Sequence, residues 1–151
     1  MGWNETAITV VGVVASEVTH KELGSGFGRA RFRILSVARR YDPELKDYVD
    51  GDKLFLTVTC WRRLADEVHK ALAKGDSVIV TGRLRIRDYE LDGERRNVSE
   101  IDATAIGPSL HWGRVTVEHS RSGDVPIPGM PEIVAPRKED ERAREVVDAP
   151  F

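Results

Sequence analysis

Three short segments place arginines and aromatic rings where they can act together on a polyanion. In Ser77–Glu90, SVIVTGRLRIRDYE, the run past Gly82 alternates. Arg83, Arg85, Arg87 and Tyr89 therefore fall on one face of a strand, with Leu84 and Ile86 on the other. In Arg29–Val37, RARFRILSV, the same period puts Arg29, Arg31 and Arg33 on one face with Leu35 and Val37. In Lys53–Trp61, KLFLTVTCW, an apolar stripe of Leu54, Leu56, Val58 and Cys60 lies opposite Phe55, Thr57, Thr59 and Trp61. Guanidinium groups pair with phosphate, and a flat ring offers a base a stacking surface. The same patterns also fit a solvated strand face. The Phe55–Trp61 face also fits packing under the next helix or at a subunit interface.

Other chemistries find less to work with. His20, His69, His111 and His119 share no metal-ligand spacing, and Cys60 has no nearby Cys or His partner. The carboxylates form no cluster with a phosphate loop, and the Gly24, Gly26 and Gly28 run is not followed by a strand–turn–helix. The expectation is no metal, no cofactor and no enzyme. A single cysteine rules out an internal disulfide; Cys60 is expected to face the core as a small apolar residue.

The formal charge of −2 argues against a generally basic nucleic-acid binder. The charge is uneven, however. Residues 118–151 carry more acidic than basic side chains, which leaves the body near neutral, so a basic binding surface has to be local. No apolar run approaches the roughly 20 residues that cross a bilayer. The N-terminus has no secretory pattern, only a loose formal match to myristoylation at Gly2. A cytoplasmic, nucleoid-associated protein with no membrane contact is expected.

The elements that position these faces follow in order. Thr6–Val14 reads as a strand whose Gly12 marks a bend. Ala15–Gly28 is a glycine-rich connection with room for an edge strand. After Arg29–Val37, the residues from Asp42 to Asp52 read as a polar loop. Arg62–Lys74 is the one strong helix, ended by Lys74-Gly75. The Asp92-Gly93 turn joins Arg83–Tyr89 to Asn97–Ile106 as a hairpin, the second strand showing a weak alternation with room for a bulge. Leu110–Val117 reads as a further short strand. From Glu118 onward the chain is rich in proline and charge, which predicts a disordered tail over 118–151 after a domain over 1–117. An all-β chain with one helix between its third and fourth strands fits an OB-fold, a five-stranded Greek-key barrel.

Thr6 to about Val117 resembles the DNA-binding domain of bacterial single-stranded DNA-binding proteins. The matching blocks are ITVVG, RFRILSVARRYD, DKLFLTVTCWRRLADEVHKALAKGDSVIVTGRLRIRDYE and IGPSL. The resemblance implies base stacking on Tyr41, Phe55, Trp61 and Tyr89, and phosphate contacts from Arg63, Lys74, Arg85, Arg87 and Arg96. The strand pattern adds Arg31, Arg33 and Arg83. Thr57 and Asp88 stand where relatives often carry a basic residue. The resemblance further implies sequence-independent protection of single-stranded DNA in replication, repair or recombination, by a homotetramer whose Leu110–Val117 strand clamps neighbouring subunits. Family members end in an acidic tip closing in Pro-Phe that docks replication and repair enzymes. Here Asp148, Ala149, Pro150 and Phe151 close a short tail interrupted by Arg142 and Arg144. That departure points to an auxiliary paralogue with selective docking. The competing readings are an OB-fold replication accessory acting through protein contact, an enzyme on single strands, and an oligomer whose basic face serves only assembly.

Overall fold

The computed structural model describes residues 2–118. The expected disordered tail and its Asp148–Phe151 tip lie outside them. Strands β1 (Thr6–Val14), β2 (Thr19–Glu22), β3 (Gly28–Asp42) and β4 (Asp47–Trp61) precede helix α1 (Arg62–Ala71). Strands β5 (Ser77–Leu91) and β6 (Glu94–Pro108) follow it. The sheet runs β1-β5-β6-β4-β3-β2, and β1 also pairs with β3, which closes five strands into a barrel and leaves β2 as an added edge. The β4–β6 pairing is parallel, from Thr57↔Glu100 to Thr59↔Asp102, and the others are antiparallel. This is the expected OB-fold. The helix follows the third barrel strand, which is the fourth strand in chain order because β2 adds one to the count.

The interior is the apolar face of each alternating strand. Phe32 and Ile34 from β3, Val58 and Cys60 from β4, Val78 and Val80 from β5 and Ile101 from β6 are buried together, with Ala65 and Val68 of α1 covering one end. Removing each larger side chain from water contributes roughly 1.5–3 kcal/mol. Burial raises the Cys60 thiol to about 11, and its S–H points at the Ala30 carbonyl, 3.9 Å away. The cysteine is core material, as its stripe predicts.

Two glycines sit where backbones come too close for a side chain. A Cβ on Gly12 would stand 2.5 Å from the Leu35 carbonyl oxygen, where β1 crosses from β5 to β3. A Cβ on Gly82 would press into the Asp102 carbonyl and the Ala103 backbone, at the bulge between Thr81 and Gly82 in the β5–β6 ladder. Backbone cannot swing aside as a side-chain tip can. Gly82→Ala is therefore expected to destabilise the domain by roughly 1–3 kcal/mol, read as a lower urea midpoint at unchanged slope.

Two expectations need correction. The polar stretch from Asp42 to Asp52 is mostly strand: β3 runs to Asp42 and β4 starts at Asp47, around a turn in which Lys46 has φ 50°. An exposed two-stranded ribbon is held by backbone hydrogen bonds and buries no stripe, so its residues carry no hydrophobic period. The strand expected at Leu110–Val117 is absent; Leu110–Trp112 forms a 3₁₀ turn and no strand follows within the described residues. The neighbouring β6 is already flanked by β5 and β4, so this chain offers the segment no edge to join there.

Candidate nucleic-acid interface

Register assembles one outer face from four strands. Arg29, Arg31, Arg33 and Leu35 of β3 lie opposite Trp61, Thr59, Thr57 and Phe55 of β4. Thr57 and Thr59 lie beside Glu100 and Asp102 of β6. Those two carboxylates lie opposite Arg85 and Arg83 of β5, and the same ladder pairs Arg87 with Val98 and Tyr89 with Arg96. The three alternating segments of the sequence thus share a single surface.

At its centre stands a carboxylate that the sequence reading passed over. Glu100 is 0% exposed. The Thr59 hydroxyl donates to its Oε1, and Arg31 Nη2 reaches the same oxygen at 3.3 Å. Arg85 Nη2 and Arg87 Nε reach Oε2 at 3.2 and 3.4 Å. Arg31 Nε also donates to Thr59 Oγ1 at 3.4 Å. Burial pushes the Glu100 carboxyl up. The Thr59 hydrogen bond and the charges of Arg85, Arg31 and Arg87 outweigh it and hold the group below the ordinary carboxylate range. Three guanidiniums facing one carboxylate leave a positive excess, and each remains partly open to solvent. A buried anion thus holds a fan of cations in place at the surface.

The remaining expected contacts divide. Arg83 is paired twice, to Glu5 at 2.9 Å and to Asp102 at 3.2 Å, so its charge is met within the protein. Asp102 also accepts a 3.0 Å hydrogen bond from Trp61 Nε1, which fixes the indole while leaving Trp61 39% exposed. Phe55 is 51% exposed, with the Arg33 guanidinium 5.5 Å from its ring centroid. Tyr89 is on the β5 arm opposite Arg96, which pairs with Glu94 at 3.6 Å. Tyr41 lies out on the β3–β4 arm, edge-on to Tyr48 at 5.4 Å. Arg63 and Lys74 belong to α1 and the turn after it, off the sheet face. Thr57 and Thr59 are buried beneath the arginines, so this face does not pack under α1 as a solvent-shy surface would; its rings flank a polar, charged centre. Among the described residues no group of three or more His, Cys, Asp or Glu side chains is placed to hold a metal.

Glu100 is the residue that sequence reasoning missed; Arg29 was placed on the arginine face but not among the phosphate contacts. Counting back from the Asp92-Gly93 turn, whose two residues have φ 52° and 78°, sets Glu100 opposite Arg85. That signal was available from the hairpin alone.

Comparison with known proteins finds relatives of this sequence and fold. Residues 5–109 match the single-strand binding protein family. The chain is 41% identical over 124 residues to a single-stranded DNA-binding protein of Corynebacterium glutamicum, covering 82% of this chain and 55% of that one. It is 40% identical to one of Paenarthrobacter aurescens, covering 78% and 69%. The crystal structure of a small single-stranded DNA-binding protein from Streptomyces coelicolor superposes with a TM-score of 0.67 at 40% identity, covering 73% of this chain and 99% of that one. The second such protein of Mycobacterium smegmatis gives 0.58 at 34% identity, covering 76% and 99%.

Proposed function

The chain belongs to the single-strand binding protein family, and on that premise we propose that it binds and protects unpaired DNA on the β3–β4–β6–β5 face. The observation that carries this reading is the joining of exposed Phe55, Trp61 and Tyr89 to the arginine fan around Glu100 on one surface. Every base has a π-face, so stacking is indifferent to sequence and contributes roughly 1–3 kcal/mol per base. Phosphates meet Arg31, Arg85 and Arg87, already held at the surface by the carboxylate beneath them. Arg33 and Arg29 add charge beside Phe55 and Trp61, Tyr41 and Arg96 extend the path along the strand arms, and Arg63 and Lys74 extend it beyond the sheet. A duplex hides its base faces, so single strands are preferred. No bond is made or broken.

The protein works as a homotetramer in replication, repair or recombination. Val11, Val13 and Ile79 stand exposed on adjacent strands β1 and β5, an apolar patch suited to a neighbouring subunit. An auxiliary role is supported by likeness to a small and a second member of other bacterial complements, and the Asp148–Phe151 tip docks a narrow set of partners.

The test is a tryptophan-fluorescence titration with oligo-dT at two salt concentrations, with a duplex control. Quenching by the single strand, weakened by salt and absent with duplex, is the expected result. If a gel shift with the same oligonucleotide also shows no complex, the reading is overturned.

A further inference from the structure

Beside Trp61 the sheet face runs into a cleft of about 420 Å³, lined by Leu23, Ser25, Phe27, Trp61 and Arg62. Phe27 comes from the β2–β3 turn and is 47% exposed. The Arg62 guanidinium lies over one face of its ring, 4.8 Å from the centroid. Arg62 opens α1 with φ 60°, a left-handed conformation unusual for a side chain other than glycine. Helix entry in that conformation costs backbone energy, of the kind that persists where the surroundings require a particular side-chain direction. Across the ladder, Arg29 lies opposite Trp61. Among the described residues neither Arg29 nor Arg62 makes an ion pair, whereas Arg31, Arg83, Arg85 and Arg87 all do.

We propose that this cleft is a further base site: a nucleotide next to the one on Trp61 stacks its base on Phe27, and its phosphate is met by Arg62 and Arg29. This rests on the single-strand reading above. Three observations favour an unpaired nucleotide over another occupant. The cleft is continuous with the stacking face through Trp61. It holds an aromatic wall, Phe27, one face of which is met by the Arg62 guanidinium. Among the described residues no carboxylate forms an ion pair with the cations at its rim. The strand is thereby led off the end of the sheet and onto the turn before β3.

The experiment is anisotropy titration of the full chain with labelled oligo-dT of graded length, for wild type, Phe27→Ala, Phe27→Leu and Arg62→Ala. Phe27 is half-exposed on a turn, so unchanged thermal melts are expected to confirm folding. Phe27→Ala is expected to weaken binding about 5- to 150-fold on oligonucleotides long enough to reach the cleft. The loss should vanish on shorter ones. Phe27→Leu should lose most of the same factor, because leucine keeps the apolar bulk without the ring. Arg62→Ala should lower the salt slope by about 0.7. Wild-type binding that none of the variants alters at any length overturns the cleft site alone. Full affinity in Phe27→Leu overturns stacking as its basis. Failure of the wild type to bind at all overturns the single-strand reading itself.

Discussion

Glu100→Gln is expected to cost the domain stability and weaken DNA binding at once, although it makes the binding face more positive. The wild-type carboxylate is fully buried and answers three guanidiniums and a hydroxyl. Removing one member of a buried ion pair typically costs roughly 3–5 kcal/mol, because the partners lose their counter-charge. The low end, about 3 kcal/mol, is expected here, since Arg31, Arg85 and Arg87 reach solvent. The pH dependence has a definite sign. A carboxyl held below its unfolded value of about 4.3 contributes stability in full above that pH and loses it as pH falls through the folded value. Wild type should therefore lose stability below about pH 4 more steeply than Glu100→Gln, seen in urea midpoints from pH 7 to 3. For binding, two roles of the carboxylate give opposite results. If it holds the arginines in position, Glu100→Gln binds oligo-dT about tenfold more weakly. If it only cancels charge, the variant binds more tightly with a steeper salt slope. Thr59→Val provides a companion in which every charge stays in place. It removes the hydroxyl donor to the carboxylate, and weaker binding in it points to positioning.

The second large effect belongs to the arginines themselves. Arg85→Ala combined with Arg87→Ala is expected to weaken binding roughly 30- to 1,000-fold, the loss of two charge-assisted contacts of about 1–2 kcal/mol each once solvent exposure is allowed for. The salt slope should shrink by about 1.4, since each phosphate contact on a single strand contributes about 0.7. Arg83→Ala makes an informative contrast. Its guanidinium already answers Glu5 and Asp102, so its loss should barely change the slope. Equal losses in Arg83→Ala and in the double variant would show that ion pairing within the protein does not sort these arginines. The double variant leaves Glu100 with Arg31 and Thr59 only, so circular dichroism at the assay temperature must accompany the titration.

Much of this surface was legible before the fold was known. The bounds of β1 at Thr6–Val14 coincide with its hydrophobic run. Gly12, expected to mark a bend, sits where β1 passes from β5 to β3, and the loose alternation of Asn97–Ile106 does hold a bulge, opposite Thr81 and Gly82. Phe55 and Trp61, and Arg85, Arg87 and Tyr89, share faces as their spacing required. The β3–β4 arm escaped because an exposed ribbon leaves no apolar stripe. The Leu110–Val117 strand was expected from the stretch itself and from the family resemblance, neither of which tells whether this chain leaves a sheet edge free for it. Glu100 escaped because, between Ser99 and Ile101, it looks like any solvent-facing carboxylate.

The division follows the range of the forces involved. The sequence by itself determined that several strands would each carry one apolar face and one face of arginines and rings, with a single helix between them. Side-chain alternation is a local property of extended backbone, and the apolar face must find a core. Only the tertiary structure decided what those arginines meet. The β5–β6 hairpin sets Arg85 against Glu100, but the parallel β4–β6 pairing that brings Thr59, and with it Arg31, to the same carboxylate joins segments some forty residues apart through barrel closure. The hairpin and that long-range pairing together engage Arg31, Arg83, Arg85 and Arg87 with Glu100 and Asp102, and leave Arg29, Arg33 and Arg62 without an ion partner among the described residues. The charge a strand carries is written in its residues; the charge it can offer a ligand depends on which strands lie beside it.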